Sequence, residues 1–319
     1  MPPTSSHLRR LVHKTGRIPS RIRRAPAYIG RFSRALKADP VETLRSVPEA
    51  VLSHLFDVQV DYQVEEDFGA AFHELLGLPW PCDETEQFNK VWSAIDREFS
   101  TLGLAFGRWS SGEYSDADPA LGAVTWCAVR HLRPEKVIET GVARGVTSRI
   151  ILEAMALNGS GHLWSVDLPH PLRPEIHHET AMAVPSDCRE RWTYVRGSSR
   201  RQLPALVTRL EKVDMFVHDS LHTARNMRFE LRIVWPAVDR GGLVLVDDVD
   251  NQAFRDFVAE SGGPPSVVMR SGDGPWMFGA VCKDGPEGQI DRLSSGVHTT
   301  RSSRSEVGIS NGQRALRDQ

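Results

Sequence analysis

Short β-branched segments alternate with amphipathic segments after residue 134, and this alternation restricts the fold more than any other feature. The predicted strands are Lys136–Thr140, Leu163–Asp167, Trp192–Arg196, Asp214–His218 and Leu243–Asp247. The predicted helices between them are Thr147–Leu157, Arg201–Leu210 and His222–Val234. Strands that alternate with helices of this length form βαβ units, so the sequence predicts a parallel sheet.

Two further strands are predicted at Ser266–Arg270 and Trp276–Lys283. The sequence SGDG joins them and leaves no room for a crossover helix, so this pair must be antiparallel. The predicted fold is therefore α/β and Rossmann-like, with a mostly parallel seven-stranded sheet that ends in an antiparallel hairpin. An N-terminal helical extension precedes it, with helices predicted at Val41–Val58, Glu65–Leu76, Glu84–Leu102 and Asp116–Leu132.

Four regions follow from these patterns: a basic arm (1–38), a helical region (39–133), a ligand-binding domain (134–284) and a disordered tail (285–319). The tail has almost no large apolar residues and cannot offset the entropy cost of ordering. The arm has ten basic residues and no acidic one, although the net charge of the chain is only −2. An anionic membrane surface, a nucleic acid and an acidic partner are candidate ligands of such an arm. An organellar transit peptide and a solvated leader without a ligand are the alternatives.

The four cysteines, Cys82, Cys127, Cys188 and Cys282, lie far apart and form no CxxC pair. This spacing argues against a zinc knuckle or a disulfide framework and is typical of a reducing cytosol. No apolar run approaches the length of a membrane span. We therefore expect a cytoplasmic protein, with peripheral membrane attachment through the arm as an alternative. Self-association into a homo-oligomer is left open.

A glycine turn follows the first predicted strand and leads into the next helix. Gly141 lies at the strand end, where a residue without Cβ lets the backbone approach a ligand closely. Gly145 lets the helix start tight against the sheet, and Ala143 lies between the two glycines. The turn does not contain the GxGxxG pattern that cradles a dinucleotide pyrophosphate, which disfavours a nicotinamide oxidoreductase. A cofactor without phosphates fits better, with Gly141, Ala143 and Gly145 as contacts.

Two strand ends supply further cofactor contacts. Asp167 ends the second strand, where an acidic side chain can accept both hydroxyls of a ribose. Ser198 follows the third strand and could face an adenine ring, or it could cap the next helix. For Asp167, a helix cap or a loop hydrogen bond is the alternative.

Four segments, ETGVARG, SVDLP, HDSLHT and WPAVDRGGLVLVDD, carry a resemblance to a known family. They resemble class I S-adenosylmethionine-dependent methyltransferases of the group related to macrocin O-methyltransferase and the cephalosporin-hydroxylase-like proteins. The resemblance covers Glu135–Lys283 and is most specific over Asp219–Asp248. It implies S-adenosylmethionine bound by Glu139, Gly141, Gly145 and Asp167. It also implies, as in many members, magnesium held at Asp219, Asp247 and Asp248.

The acidic residues also predict a metal site by themselves. Asp219 follows an apolar strand, and Asp247 and Asp248 follow the next one, so all three should meet at one edge of the sheet. Three close carboxylates repel one another unless they are protonated or bridged by a cation. Oxygen ligands favour a hard ion such as magnesium. Helix capping, or contact between Asp219 and the cofactor amine, is the alternative.

Methyl transfer to a hydroxyl needs a base, and related sequences often carry an acidic residue where Leu221 stands here. His222 is the candidate substitute, because imidazole titrates near neutral pH. Asp219 would help to orient the acceptor, and His218 and Asp250 are weaker candidates for the base. A purely structural role is the alternative for His222.

The predicted function is O-methylation of a hydroxylated small molecule, such as a sugar, glycoside or glycolipid, in small-molecule biosynthesis. The alternative is a non-catalytic binding protein of the same fold that docks through its basic arm. A nucleic-acid substrate is disfavoured, because no DPPY- or NPPY-like motif follows the fourth strand.

Overall fold

The computed structural model describes residues 32–285, except residues 34, 38, 108–115, 117 and 273. Most of the basic arm and the predicted tail after residue 285 therefore lie outside the described residues. None of the helices in the described ranges is both long and apolar enough to cross a membrane.

Seven strands form one sheet in the order β3-β2-β1-β4-β5-β7-β6. Strands β1 to β5 are parallel to one another, and β7 runs antiparallel to both β5 and β6. The predicted sheet with its terminal antiparallel hairpin is thereby confirmed. The strands are β1 (Lys136–Thr140), β2 (His162–Asp167), β3 (Trp192–Arg196), β4 (Val213–His218), β5 (Val238–Val246), β6 (Ser266–Arg270) and β7 (Met277–Cys282).

Eight α-helices surround the sheet within the described residues. They are α1 (Pro40–Phe56), α2 (Phe68–Leu76), α3 (Thr85–Thr101), α4 (Pro119–Leu132), α5 (Val146–Asn158), α6 (Ser199–Leu210), α7 (Ala224–Val234) and α8 (Gln252–Glu260). Helix α4 begins at Pro119, three residues after the predicted Asp116, because the missing N–H of proline is not needed in the first turn. Asp118 caps the same helix by accepting the N–H groups of Ala120 and Leu121.

Two elements differ from the sequence prediction. Strand β5 begins at Val238, five residues before the predicted Leu243, because Gly241 and Gly242 continue the pairing with the Lys283 backbone. Helix α8 was not predicted. Its first turn is capped by Asn251, and it buries Phe254 and Phe257.

The core lies on both faces of the sheet. Helices α2 to α5 pack in one apolar cluster, which includes the fully buried Trp126, Ile95 and Ile150. Helices α6 to α8 pack in a second cluster on residues such as Phe216 and Val246. Helices α2 to α4 therefore share one core with the sheet. This layering leaves the carboxyl ends of β1, β2, β4 and β5 together at one edge of the sheet.

Candidate active site

The glycine turn between β1 and α5 contains three residues in the left-handed region. Gly141, Ala143 and Gly145 have φ angles of 86°, 45° and 85°. The backbone N–H groups of Ala181 and Ala183 donate to the carbonyls of Ala143 and Arg144. The segment between β2 and β3 therefore holds the turn from outside.

Gly141 has a structural role besides the predicted close approach to a ligand, which stays a prediction. A Cβ on Gly141 would lie 1.8 Å from the carbonyl oxygen of Asp219 and 2.9 Å from the Cα of Ser220. The backbone that approaches Gly141 closely is therefore that of the protein itself, in the loop after β4. Gly141 fixes the distance between the first and fourth strand ends.

Replacing Gly141 by alanine should lower the free energy of unfolding by about 2–4 kcal/mol, through a left-handed alanine and the overlap with Asp219. Gly159→Ala is a matched control, because Gly159 also has a positive φ, of 75°, but nothing within 4 Å of the added Cβ. It should cost only about 1–2 kcal/mol. Urea denaturation of both variants measures the difference, and equal losses would contradict the close contact.

Asp167 lies at the carboxyl end of β2, directly beside the turn. Its Oδ1 accepts the Val142 N–H at 3.1 Å, and its Oδ2 accepts the Tyr194 hydroxyl at 3.1 Å. Burial raises the pKa of Asp167, although these hydrogen bonds and the Arg196 charge act against burial. Because each carboxylate oxygen can accept more than one hydrogen bond, these contacts are compatible with the predicted ribose contact. The hydrogen bond from the Val142 N–H is also the loop hydrogen bond that was given as the alternative role of Asp167.

Glu139 is wholly buried in β1, beneath the turn. The Ser148 and Ser165 hydroxyls both donate to its Oε2 at 2.6 Å. Burial raises the pKa of Glu139 to about 7 against these two hydrogen bonds. The other oxygen, Oε1, is buried and has no hydrogen-bond partner among residues of the described ranges. Glu139 therefore supports the turn, and its Oε1 is a hydrogen-bond acceptor beneath the turn.

The structure brings Asp219, His222 and Asp247 together at the carboxyl ends of β4 and β5. One ligand atom from each residue lies within 4.8 Å of the other two. The His222 Nε2 is 3.8 Å from the Asp219 Oδ1, and the Thr147 hydroxyl donates to the Asp219 Oδ2 at 3.5 Å. The Nδ1 of His222 is buried without a hydrogen-bond partner in the described part of the chain.

Asp248 is not a member of this group of close ligand atoms, whereas the predicted set was Asp219, Asp247 and Asp248. The residue follows Asp247 directly and has a φ of 49°, which turns the chain away after the end of β5. Its charge acts instead on Asp250, whose pKa is raised mainly by burial and in part by Asp248. His222 is the third member of the group, because the loop after β4 brings the imidazole ring close to Asp219.

Sequence analysis missed Glu230, which is completely buried in α7. Its Oε2 lies 2.6 Å from the His218 Nδ1 and accepts the Thr140 hydroxyl at 2.5 Å. Its Oε1 accepts the Ser220 hydroxyl at 2.8 Å and the Asn226 amide at 2.9 Å. Burial disfavours the charge of Glu230, but His218 and these donors outweigh it and lower its pKa to about 2. Glu230 thus joins the ends of β1 and β4, and His218 supports the site from beneath.

Ser198 lies at the start of α6, but it makes no side-chain capping hydrogen bond. Its hydroxyl donates instead to the Glu42 Oε1 in α1 at 2.7 Å. The Thr223 hydroxyl donates to Glu49, and the N–H of Ala224 donates to Asp57 at 2.9 Å. Acidic side chains near α1 therefore lie at the N-terminal ends of α6 and α7, where helix dipoles favour negative charge. The predicted adenine contact of Ser198 stays a prediction.

Arg144 was also missed, although it lies inside the glycine turn. Its guanidinium is buried, pairs with Asp116 and donates to the Ala105 carbonyl at 2.8 Å. It also lies 4.5 Å above the centre of the Phe99 ring. The turn is therefore tied to α3 and to the segment after it. The sequence signal for this role was an arginine between the two glycines of the turn.

Part of the chain matches a known protein family. Residues 138–249 match the model of a protein family described as a methyltransferase domain. This segment runs from β1 to the loop after β5 and contains the glycine turn, Asp167, Asp219, His222 and Asp247. No curated protein matches the sequence.

Solved structures with a similar course of the chain include three methyltransferases. The O-methyltransferase of Bacillus cereus in complex with SAH is 14% identical, with a TM-score of 0.43, and the match covers 68% of this chain and 98% of that one. The O-methyltransferase TomG of Streptomyces achromogenes, in complex with SAM, is 18% identical, with a TM-score of 0.43 and coverages of 68% and 96%. A methyltransferase of Podospora anserina bound to SAH is 14% identical, with a TM-score of 0.43 and coverages of 66% and 100%. All three TM-scores lie below 0.5, so these structures contribute nothing to the assignment of residues or substrate.

Proposed function

We propose that the protein is an S-adenosylmethionine-dependent methyltransferase that methylates a hydroxyl group of a small molecule. The observation that carries this proposal is the juxtaposition of Asp167 and the glycine turn with the group of Asp219, His222 and Asp247 at one edge of the sheet. The first pair suits a ribose-bearing cofactor, and the second group suits an acceptor hydroxyl. The match of residues 138–249 to a methyltransferase domain supports the same proposal.

The residues of the turn fit this cofactor. Glu139 contributes a buried oxygen without a partner in the described ranges, directly beneath the turn. Asp167 offers a carboxylate at the position where a ribose would lie. S-adenosylmethionine supplies an electrophilic methyl group on a sulfonium and needs no pyrophosphate cradle. The left-handed Ala143 in place of a second glycine is compatible with such a cofactor, whereas a dinucleotide requires glycine there.

Three side chains have roles toward the acceptor hydroxyl, and these roles follow from their positions. His222 accepts the proton of the acceptor hydroxyl through its imidazole, and Asp219 orients that imidazole from 3.8 Å. Asp219 and Asp247 would hold a divalent cation, which would bind the hydroxyl and favour its deprotonation. Two carboxylates suit magnesium or manganese, whereas an imidazole ligand would suit zinc, iron or nickel better. A polar pocket of this kind fits the hydroxyls of a sugar, glycoside or glycolipid.

Binding of S-adenosylhomocysteine tests the cofactor half of the proposal. Asp167→Asn should weaken binding by about 1–3 kcal/mol, through loss of charge-assisted hydrogen bonds to the ribose. Tyr194→Phe is the matched control, because it removes one contact of Asp167 and keeps the carboxylate. Isothermal titration calorimetry measures all three proteins. Equal affinities of the wild type and Asp167→Asn would remove Asp167 from the cofactor site.

A second measurement separates an enzyme from a non-catalytic binding protein. Transfer of a labelled methyl group to a panel of sugars, glycosides and glycolipids should detect at least one product. Tight binding of S-adenosylhomocysteine without turnover on the whole panel would favour the non-catalytic alternative.

A further inference from the structure

Two cysteines and two histidines meet in the helical layer, on different elements from those of the active site. His73 lies in α2, Cys82 lies between α2 and α3, and Cys127 and His131 lie one turn apart in α4. One ligand atom from each of the four residues lies within 4.8 Å of the others. The widely spaced cysteines argued against a zinc knuckle, but the fold brings Cys82 and Cys127 together.

Three of the six distances between these atoms are close to those of a tetrahedral site, and the other three do not exceed 4.8 Å. Zinc bonds of ordinary length place two thiolate sulfurs about 3.8 Å apart, and a sulfur and an imidazole nitrogen about 3.6 Å apart. The two sulfurs here are 3.5 Å apart. The Cys82 sulfur lies 3.6 Å from the His131 Nε2, and the Cys127 sulfur lies 3.3 Å from the His73 Nε2. The four atoms therefore already surround a volume of the right size for one ion.

The surroundings also prepare the four groups for a metal. The Nδ1 of His73 lies 2.8 Å from the Gly69 carbonyl, so it carries the proton and leaves Nε2 to face Cys127. Such a hydrogen bond is the usual support of a metal-binding histidine. The Trp80 ring packs against His73, with a distance of 4.8 Å between ring centres. His73 and Cys127 are buried.

We propose that His73, Cys82, Cys127 and His131 bind one structural zinc ion. Two sulfurs and two imidazole nitrogens form the Cys₂His₂ set that zinc prefers, and four protein ligands leave no open position for a substrate. The ion would fasten the α2–α3 connection to α4. Helix α4 packs in turn on α5, in the same apolar cluster.

Metal analysis of the full-length protein, purified without chelator and without a histidine tag, tests this proposal. We expect one zinc ion per chain, with two sulfur and two nitrogen neighbours in the X-ray absorption spectrum at the zinc edge. The sulfur neighbours distinguish this ion from a metal at Asp219 and Asp247, so the result is independent of the proposed function. Replacement of zinc by cobalt should produce thiolate-to-cobalt charge-transfer bands.

The matched variants are Cys127→Ser and Cys188→Ser. Both cysteines are buried, but only Cys127 belongs to the group, so only Cys127→Ser should lose the zinc. Zinc retained fully by Cys127→Ser would overturn the proposal. If that variant does not fold, the wild-type metal content decides alone. A wild-type protein that contains no zinc would overturn the proposal. This holds whether Cys82 and Cys127 are then found joined by a disulfide bond or as two free thiols.

Discussion

Removal of divalent cations by a chelator should abolish methyl transfer and leave the binding of S-adenosylhomocysteine largely intact. The reason is geometric, since the proposal has the cation held at the ends of β4 and β5 and the cofactor held at the ends of β1 and β2. Asp247→Asn should lower the rate about a hundredfold or more, because an amide oxygen still coordinates but carries no charge. Added magnesium or manganese should restore part of the activity. Rates with and without chelator measure the effect.

Two further variants sharpen this test. Asp248 lies outside the group of ligand atoms, so Asp248→Asn should lower the rate less than Asp247→Asn. His222→Ala should slow transfer without changing the cation requirement, and it should flatten the acid limb of the pH–rate profile. A rise in the cation concentration required by His222→Ala would make His222 a ligand instead of the base. Full activity in the presence of chelator would contradict the metal site altogether.

Glu230→Ala should lower the free energy of unfolding by about 3–5 kcal/mol, because it leaves a buried His218 and three other donors without their acceptor. Glu260→Ala is the matched control. Glu260 also pairs with a basic side chain, Arg232, at 2.8 Å, but both side chains are about half exposed. An exposed pair contributes at most about 1 kcal/mol. Urea denaturation compares the two, and similar small losses would contradict the network described here.

The same carboxylate predicts a dependence of stability on pH. The pKa of Glu230 is lowered from 4.5 to about 2 in the folded protein. A carboxylate with a lowered pKa stabilises the fold above its unfolded pKa, and this contribution is lost as the pH falls from 4.5 to 2. In Glu230→Gln, this part of the acid destabilisation should be absent. If Glu230→Gln loses as much stability as the wild type between these two pH values, the loss must come from other groups.

Features that depend on neighbouring residues in the sequence were predictable. The strand ends at Thr140 and Asp167 follow from short apolar runs, and Pro119 and the two glycines of the turn act through their own backbones. Helix α8 has a comparable local signal in Asn251, Phe254 and Phe257, although it was not predicted. These features depend on the spacing of apolar side chains along the chain and on the backbone conformations that single residues can adopt.

Features that depend on distant contacts could not be predicted. Glu230 lies on the same helical stripe as Met227 and Leu231, where an acidic residue is out of place, but its partners come from two strands. His222 joins Asp219 and Asp247 only because of the path of the loop after β4. Gly141 contacts backbone that follows it by almost eighty residues in the sequence. The pairing of Cys82 with Cys127 likewise requires three helices to be in place.

The position of α1 has a consequence for the order in which the protein acquires its structure during synthesis. Glu42, Glu49 and Asp57 bond to groups that follow them by 156, 174 and 167 residues. At ribosomal rates of about 5–20 residues per second, α1 therefore leaves the ribosome roughly 10–30 seconds before its partners exist. The backbone N–H of Val58 donates to Gln252, which lies 194 residues downstream and is synthesised later still. The carboxyl edge of the sheet is thus covered only after nearly all of the domain has been translated.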